Sequence, residues 1–289
     1  MENRLDKVIE NLLEEPSKSL GKTISDLWYL SFGGKIEFAA KKMSIKYEAA
    51  LEQFAQEIRS AISTVPQNKT VDVDMHTIGL ALENSKFCLE IESLRKMIAM
   101  LIASSINADR VKYVHPSFSE IIKNLCSDEA MILNTIFKTY RTIDNRFHCL
   151  KIRYIKDNQV EGGRGILAKK VDKYGAMNCN INKTNSCICE TLYDNFSIIG
   201  YESKCSFPQE ITTYLENLAR LGIIEIREQG LETFSGYERI INNTDLVELL
   251  IDFYNNNFES QNRAIYFTFQ KHYFCLTNLG INFIESCFE

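Results

Sequence analysis

Apolar residues recur at steps of three and four over a long stretch in the first half of the chain. Between Ile36 and Val65 they fall on one face of a helix, and most charged residues fall elsewhere. At 1.5 Å per residue this helix would be about 40 Å long, and Pro66 would end it. Its apolar face must be covered, so the pattern predicts packing within the chain or, as a homo-oligomer, between copies through residues 36–65.

Similar periodicity continues to residue 125 and predicts that residues 1–125 form a helical bundle. The second half of the stretch Phe87–Ile106 is apolar on every face, which predicts that this helix is the buried centre of the bundle. Pro116 suits the first position of another helix, and Ser127 is a candidate N-cap followed by acidic residues. A shorter helix is predicted at Met75–Asn84.

The pattern changes near residue 145, where apolar and basic residues alternate as in a β-strand over Leu150–Tyr154. Residues 175–189 lack periodicity and predict a loop. The last third alternates helices and strands: a helix at Ile211–Leu221, a strand at Ile223–Arg227, a helix at Leu246–Phe258, strands at Ile265–Phe269 and Tyr273–Leu276, and a final helix after Thr277.

The order of these last elements resembles a winged helix-turn-helix domain. A helix ending at Leu221-Gly222 leads into a strand, and Leu276-Thr277 leads from a later strand into the closing helix. The segment between Arg227 and Ile265 is far longer than an ordinary wing. We therefore predict a mainly α protein, α+β overall, with a winged-helix-like domain at residues 126–289 that carries an insertion at about 145–205.

Composition and charge are those of a globular protein without a global basic footprint. Hydrophobic residues make up 45% of the 289 residues, charged residues make up 25%, and the net charge is −5. The longest apolar run, Met97–Ala103, is far shorter than the roughly 20 residues of a membrane-spanning helix, and no signal-peptide pattern follows the charged N-terminus. Nine scattered cysteines suit a reducing compartment. We expect a cytoplasmic protein without membrane contact.

The winged-helix pattern does not predict a DNA reader. Its recognition helix would present Glu210, Glu216 and a single Arg220, and acidic residues outnumber basic ones from Gln209 onward. Such a surface repels phosphate, whereas affinity for duplex DNA depends largely on Lys and Arg contacts. The pattern favours a structural or protein-binding role for this domain.

Basic residues are concentrated between residues 138 and 173, beside tyrosine and phenylalanine. This is the form of a nucleic-acid-binding surface, and equally of a strand face that docks on the acidic C-terminal third of the same chain. The candidate residues are Arg146, Lys151, Arg153, Lys156, Arg164, Lys169 and Lys170.

Two further patterns could bind metal. Cys179, Cys187, Cys189 and Cys205 could hold zinc, although their spacing lacks the paired C-x-x-C of zinc ribbons. Asp194, Glu202 and Lys204 loosely follow the Asp…Glu-x-Lys pattern of a metal-dependent nuclease. No nucleophile elbow, phosphate-binding loop or metalloprotease sequence is present. We therefore expect no cofactor and favour a non-enzymatic role.

The most distinctive segment of the sequence lies between Leu94 and Leu133. It contains Leu101-Ile102-Ala103-Ser104-Ser105, then His115-Pro116-Ser117-Phe118, then Ser127-Asp128-Glu129-Ala130. These segments resemble the Abi-alpha family, the abortive-infection alpha proteins of bacteria, although Cys126 stands where that family often has serine. The resemblance implies defence against phage and supplies no catalytic residues. It leads us to expect an interaction protein that recognises a protein partner, with a structural role for His115, Pro116, Ser117 and Phe118.

Overall fold

The computed structural model describes residues 45–72, 74–156, 170–171, 188–231, 235–258 and 265–288. The chain forms two compact units. Unit 1 comprises Met1–Phe137 together with Asn278–Glu289, and unit 2 comprises Lys138–Thr277. The protein is mainly helical and α+β overall, as the sequence predicts.

Unit 1 is a helical bundle built around one central helix. The central helix, α3, packs against α1, α2, α4 and the closing helix α10, as its apolar surface predicts. The helices are α1 (Ile45–Ser63), α2 (Met75–Ser85), α3 (Glu92–Ser105), α4 (Phe118–Lys123), α5 (Ser127–Thr139) and α10 (Asn278–Cys287).

The starts of α3 and α5 differ from the prediction. The central helix begins at Glu92 because residues 86–90 form turns, and Phe87 is consequently exposed. The cap of α5 is Cys126 rather than Ser127. The Cys126 N–H donates to the Glu129 carboxylate at 2.7 Å, and the Glu129 N–H donates to Cys126 Sγ at 3.5 Å. This reciprocal pair is a capping box in which cysteine takes the usual place of serine.

Unit 2 is built on a sheet in which β1 lies between β3 and β5. The other edge of β5 pairs with β4 at one end and, in parallel, with β2. The strands are β1 (Phe147–Lys156), β2 (Lys170–Val171), β3 (Ile188–Phe196), β4 (Ile224–Arg227) and β5 (Ile265–Leu276). The helices are α6 (Ile199–Glu202), α7 (Ile211–Arg220), α8 (Ser235–Ile241) and α9 (Thr244–Asn257).

The predicted pair of strands before the last helix is one continuous strand, β5. Lys271 and His272 interrupt the apolar pattern in the sequence, yet both are buried in the strand. The predicted insertion is also more central than expected, because its strand β1 pairs with β5 over ten residues and with β3 on the other side.

The division of the chain differs from the predicted boundary between residues 125 and 126. The helix α5 belongs mostly to unit 1, and so does α10. In α10, Phe283 packs edge to face on Phe118 with 5.3 Å between ring centroids, and the Ser286 carbonyl accepts a hydrogen bond from Ser104 Oγ at 2.8 Å. These contacts join residues that are more than 160 positions apart, so the local sequence pattern does not contain them.

The elements that suggested a winged helix are present in the predicted order. Helix α7 leads into β4, and β4 pairs antiparallel with the end of β5. The long segment between β4 and β5 carries α8 and α9, and the closing helix belongs to unit 1. The winged-helix resemblance itself stays a prediction.

Of the predicted long helix, the structure describes Ile45–Ser63, and residues 36–44 lie outside the described part. Among all residues that the structure describes, every helix is too short or too polar to span a lipid bilayer.

Candidate interaction surfaces

The residues of the family signature shape the entry to α4. The Ser117 N–H donates to Nδ1 of His115 at 3.2 Å, and the Ser117 hydroxyl lies 2.7 Å from the same nitrogen. Pro116 lies in the turn before the helix rather than at its first position. Phe118 is fully buried against Phe283. His115, Ser117 and Phe118 thus have contacts within the bundle, and the structural role of the four residues stays a prediction.

An open cleft of about 760 Å³ lies in unit 1, lined by residues of α1, α3 and α5. Its apolar lining includes Met97, Met100 and Met131. Methionine side chains are flexible and polarisable, and they adapt to partners of different shape. The cleft is therefore a surface that could accept an apolar group from outside.

Charged residues also line this cleft. They are the carboxylates Glu57, Glu90 and Glu92 and one ammonium group, Lys96. Glu57 accepts two hydrogen bonds from the guanidinium of Arg95, at 2.8 and 3.0 Å, and Glu92 pairs with Lys96 at 2.6 Å. Acidic groups thus outnumber basic ones around the opening.

The helix α2 exposes apolar side chains on its outer face. Met75, Leu80 and the following Phe87 are 49%, 36% and 70% exposed. Gly79 lies on the same face, and a Cβ atom placed there would meet no atom within 4 Å. We call Met75, Gly79, Leu80 and Phe87 the α2 face. The charged Glu83, paired with Lys86, is exposed on the same side of the helix. Exposed apolar groups that lie near one another on a folded domain are typical of interaction sites.

In unit 2, two of the predicted basic residues project from the same side of β1. Lys151 and Arg153 are two positions apart, and their neighbours on β5 are Gln270 and Thr268. We call these four residues the polar sheet face. Lys151 pairs with Asp194 at 2.5 Å, whereas Arg153 pairs with no carboxylate among the described residues.

Register places a third basic position in line with Arg153. Thr268 pairs with Arg153 of β1 on one side and with Lys170 of β2 on the other. The backbone therefore aligns two predicted nucleic-acid-binding positions across the sheet, about 10 Å apart at the usual spacing of strands.

The remaining predicted basic residues add little to this face. Arg146 pairs with Asp144 at 2.9 Å. The side chain of Lys156 is outside the description, and Arg164 and Lys169 lie outside the described residues altogether.

Near the polar sheet face, His272 of β5 is buried, and one of its two ring nitrogens has a hydrogen-bond partner among the described residues. Its Nδ1 lies 3.0 Å from Oδ1 of Asn195, and the Nδ1–H tautomer donates a hydrogen bond to this oxygen. Its Nε2 is buried and has no hydrogen-bond partner in the part of unit 2 that the structure describes.

Burial lowers the pKa of His272. Among the surrounding charges, Glu228 and Asp194 raise this pKa, whereas Lys151 and Arg153 lower it. The imidazole is therefore held in its neutral form.

The residues of the nuclease hypothesis have other partners. Asp194 pairs with Lys151, and Glu202 pairs with Arg239 at 2.6 Å. Lys204 lies in a turn with a left-handed backbone conformation, at φ 57°. Across the described residues, no group of three or more His, Cys, Asp or Glu side chains is placed to hold a metal ion.

Most cysteine side chains of the zinc hypothesis lie outside the described part of the chain. Cys179 and Cys187 lie outside the described residues, and the side chain of Cys189 is not described. Cys205 is buried as a free thiol.

The predicted recognition helix, α7, presents little positive charge. Its outer side carries Glu216, and the Arg220 guanidinium bonds within the helix to Oδ1 of Asn217 at 2.7 and 3.0 Å. The expectation that this helix does not read DNA stays a prediction.

Sequence reasoning missed the cleft, the α2 face and His272. The sequence pattern includes Phe87 in the predicted central helix, Phe87–Ile106. A useful signal was present at Gly79, since glycine within an amphipathic helix is costly unless the position has another use.

The model of the family described as "Abortive infection alpha" matches residues 46–287. No curated protein and no solved structure matches the chain. Because the match covers most of both units, the chain belongs to the abortive infection alpha family.

Proposed function

We propose that this protein serves bacterial defence against phage by binding a protein partner, and that the α2 face is a contact surface for that partner. Membership of an abortive-infection family supports the defence role. The observation that supports protein recognition is the exposure of Met75 and Leu80 on α2 and of Phe87 in the turn that follows it. Burying these side chains against a partner would contribute roughly 25 cal/mol per Å² of apolar surface.

The α2 face can be altered without disturbing the bundle, because its side chains are solvent-exposed. The test is protection of a bacterial host that carries the gene, measured as plating efficiency over a panel of phages. We expect Leu80→Ser/Phe87→Ser to reduce protection at least tenfold at equal protein level. The matched control, Phe207→Ser/Ile251→Ser, removes exposed apolar groups from unit 2 and should protect like the wild type.

Partner contact is tested separately by photo-crosslinking from position 80 in infected cells. One dominant cross-linked protein, absent when the photoreactive group is placed at position 251, supports the proposal. Full protection by the α2-face variant would overturn it.

A second candidate function is nucleic-acid binding at the polar sheet face. The observation that favours it is the alignment of Arg153 with Lys170 across Thr268. Affinity for labelled single- and double-stranded RNA and DNA should fall steeply with salt and should be lost in Lys151→Glu/Arg153→Glu. Arg227→Glu, which alters an exposed cation paired with Glu225, is the control. No binding at low salt would remove this candidate.

A further inference from the structure

The cleft between α1, α3 and α5 combines two chemical features that select one kind of ligand. Its floor is apolar and adaptable, with Met97 and Met100 from α3 and Met131 from α5. A helical peptide that inserts apolar side chains at i, i+3, i+4 and i+7 fits such grooves. Its volume of about 760 Å³ leaves room for several such side chains.

The edge of the cleft supplies the charge. Glu90 and Glu92 are exposed at the N-terminal end of α3, and Glu90 has no ion-pair partner among the described residues. Glu57 lies on the α1 side and is paired with Arg95, and Glu92 is paired with Lys96, the one cation among the described lining residues. Glu90 is left as a carboxylate without a counter-charge beside the apolar lining, and it complements a helix with Lys or Arg flanking its apolar side.

A separate observation comes from Ser93, which also lines the cleft. Its Oγ is shielded from solvent and lacks a hydrogen-bond partner among the described residues. Buried hydroxyl groups are normally bonded, because leaving one unpaired costs free energy. A rotation of the Ser93 side chain toward the cleft would let a carbonyl or amide group of a ligand satisfy it.

We propose that this cleft binds a basic amphipathic helix of a partner protein. The site is distinct from the α2 face, so the proposal does not depend on the proposed function. Apolar side chains of the ligand would contact the partly exposed Met100 and Met131, beside the buried Met97, and its basic side chains would face Glu90 and Glu92.

The experiment uses the full chain and a labelled 18-residue model peptide of leucine and lysine with helical spacing, and measures binding by fluorescence anisotropy. A peptide in which glutamate replaces every lysine is the matched probe. We expect saturable binding of the lysine peptide only. Glu90→Gln/Glu92→Gln should weaken binding at least fivefold, and Met100→Asn/Met131→Asn should weaken it at least tenfold.

Three controls make the outcome decisive. Glu216→Gln/Glu248→Gln makes the same change in net charge in unit 2 and should leave affinity unchanged. The α2-face variant Leu80→Ser/Phe87→Ser should also bind the peptide normally, so failure here is distinguishable from failure of the proposed function. Circular dichroism and urea midpoints establish that each variant is folded.

Equal binding of both peptides, or no binding of the lysine peptide, would overturn the proposal. Sedimentation provides another contrary outcome. If the chain dimerises and only Met100→Asn/Met131→Asn makes it monomeric, the cleft holds a second copy of the chain instead.

Discussion

The two units bury charge in different ways. In unit 1, Arg95 is almost inaccessible and each of its three guanidinium nitrogens has a partner, because Glu57 accepts from Nε and Nη2 and the Leu89 carbonyl accepts from Nη1 at 2.6 Å. In unit 2, Lys151 is partly exposed with a single half-exposed partner, Asp194. The first arrangement fixes the position of α1 relative to α3. The second leaves charge at the surface of the sheet, where it remains available to a ligand.

The same contrast extends to buried polar atoms near each ion pair. All the bonds around Arg95 run to groups of unit 1 that hold it in one geometry. His272, close to Lys151, keeps an unpaired Nε2 and a neutral ring. Complete pairing indicates a structural role, whereas incomplete pairing leaves a group whose state depends on pH and on binding.

The largest expected effect comes from breaking the buried pair in unit 1. Glu57→Gln leaves the Arg95 guanidinium buried without a counter-charge, and we expect the free energy of unfolding to fall by about 3 kcal/mol. Urea denaturation measures this loss. The control Glu92→Gln breaks the exposed Glu92–Lys96 pair and should cost less than about 0.5 kcal/mol. Equal effects of the two variants would contradict the contrast.

An intermediate loss of stability is expected at acidic pH. The pKa of His272 is lowered from its ordinary value of 6.5, so the unfolded chain binds a proton that the folded chain does not. Its stabilising contribution is complete above about pH 6.5 and falls as pH decreases toward the folded-state pKa, by at most about 1.4 kcal/mol per pH unit.

The measurement is the urea midpoint of the full chain at pH 7.5 and 5.5, where the carboxylates stay ionised. His272→Gln keeps a donor for Asn195 and removes the titrating group, so its midpoint should fall less than that of the wild type. Parallel falls in both proteins would show that another group controls this pH range.

The smallest effect is expected at the Lys151–Asp194 pair. A double-mutant cycle with Lys151→Met and Asp194→Asn should give a coupling free energy of about 0.5 kcal/mol, because water screens a partly exposed pair. Urea denaturation of the four proteins supplies the cycle. A coupling above about 2 kcal/mol would place this pair in the same class as Arg95–Glu57 and remove the difference between the units.

Periodicity in the sequence was enough for the helices of unit 1 and for the order of α7, β4, β5 and α10. The central position of α3 followed from apolar residues on all its sides. Lys271 and His272 could not be placed, because hydropathy assigns such residues to the surface, whereas strand pairing buries them in β5. The family resemblance rests on the local sequence around His115, and the match of the family model confirms it.

The candidate surfaces were harder to predict, because they depend on which side of a helix remains uncovered. The apolar pattern includes Phe87 in the central helix, whereas in the structure Phe87 lies in the turn after α2 and is exposed. The cleft requires three helices from distant parts of the sequence. The polar sheet face was predicted in part, since Lys151 and Arg153 alternate with apolar residues, whereas the pairing of Lys151 with Asp194 requires the strand register.

The helix α10 also sets the timing of assembly during synthesis. Its residues belong to unit 1 but are translated after all of unit 2. At 5–20 residues per second, the ribosome needs roughly 7–30 s between finishing α5 and finishing α10. During that interval Phe118 lacks Phe283, and the apolar surface of α3 that α10 will cover stays open to chaperones, proteases and other nascent chains. The bundle that begins first is therefore completed last.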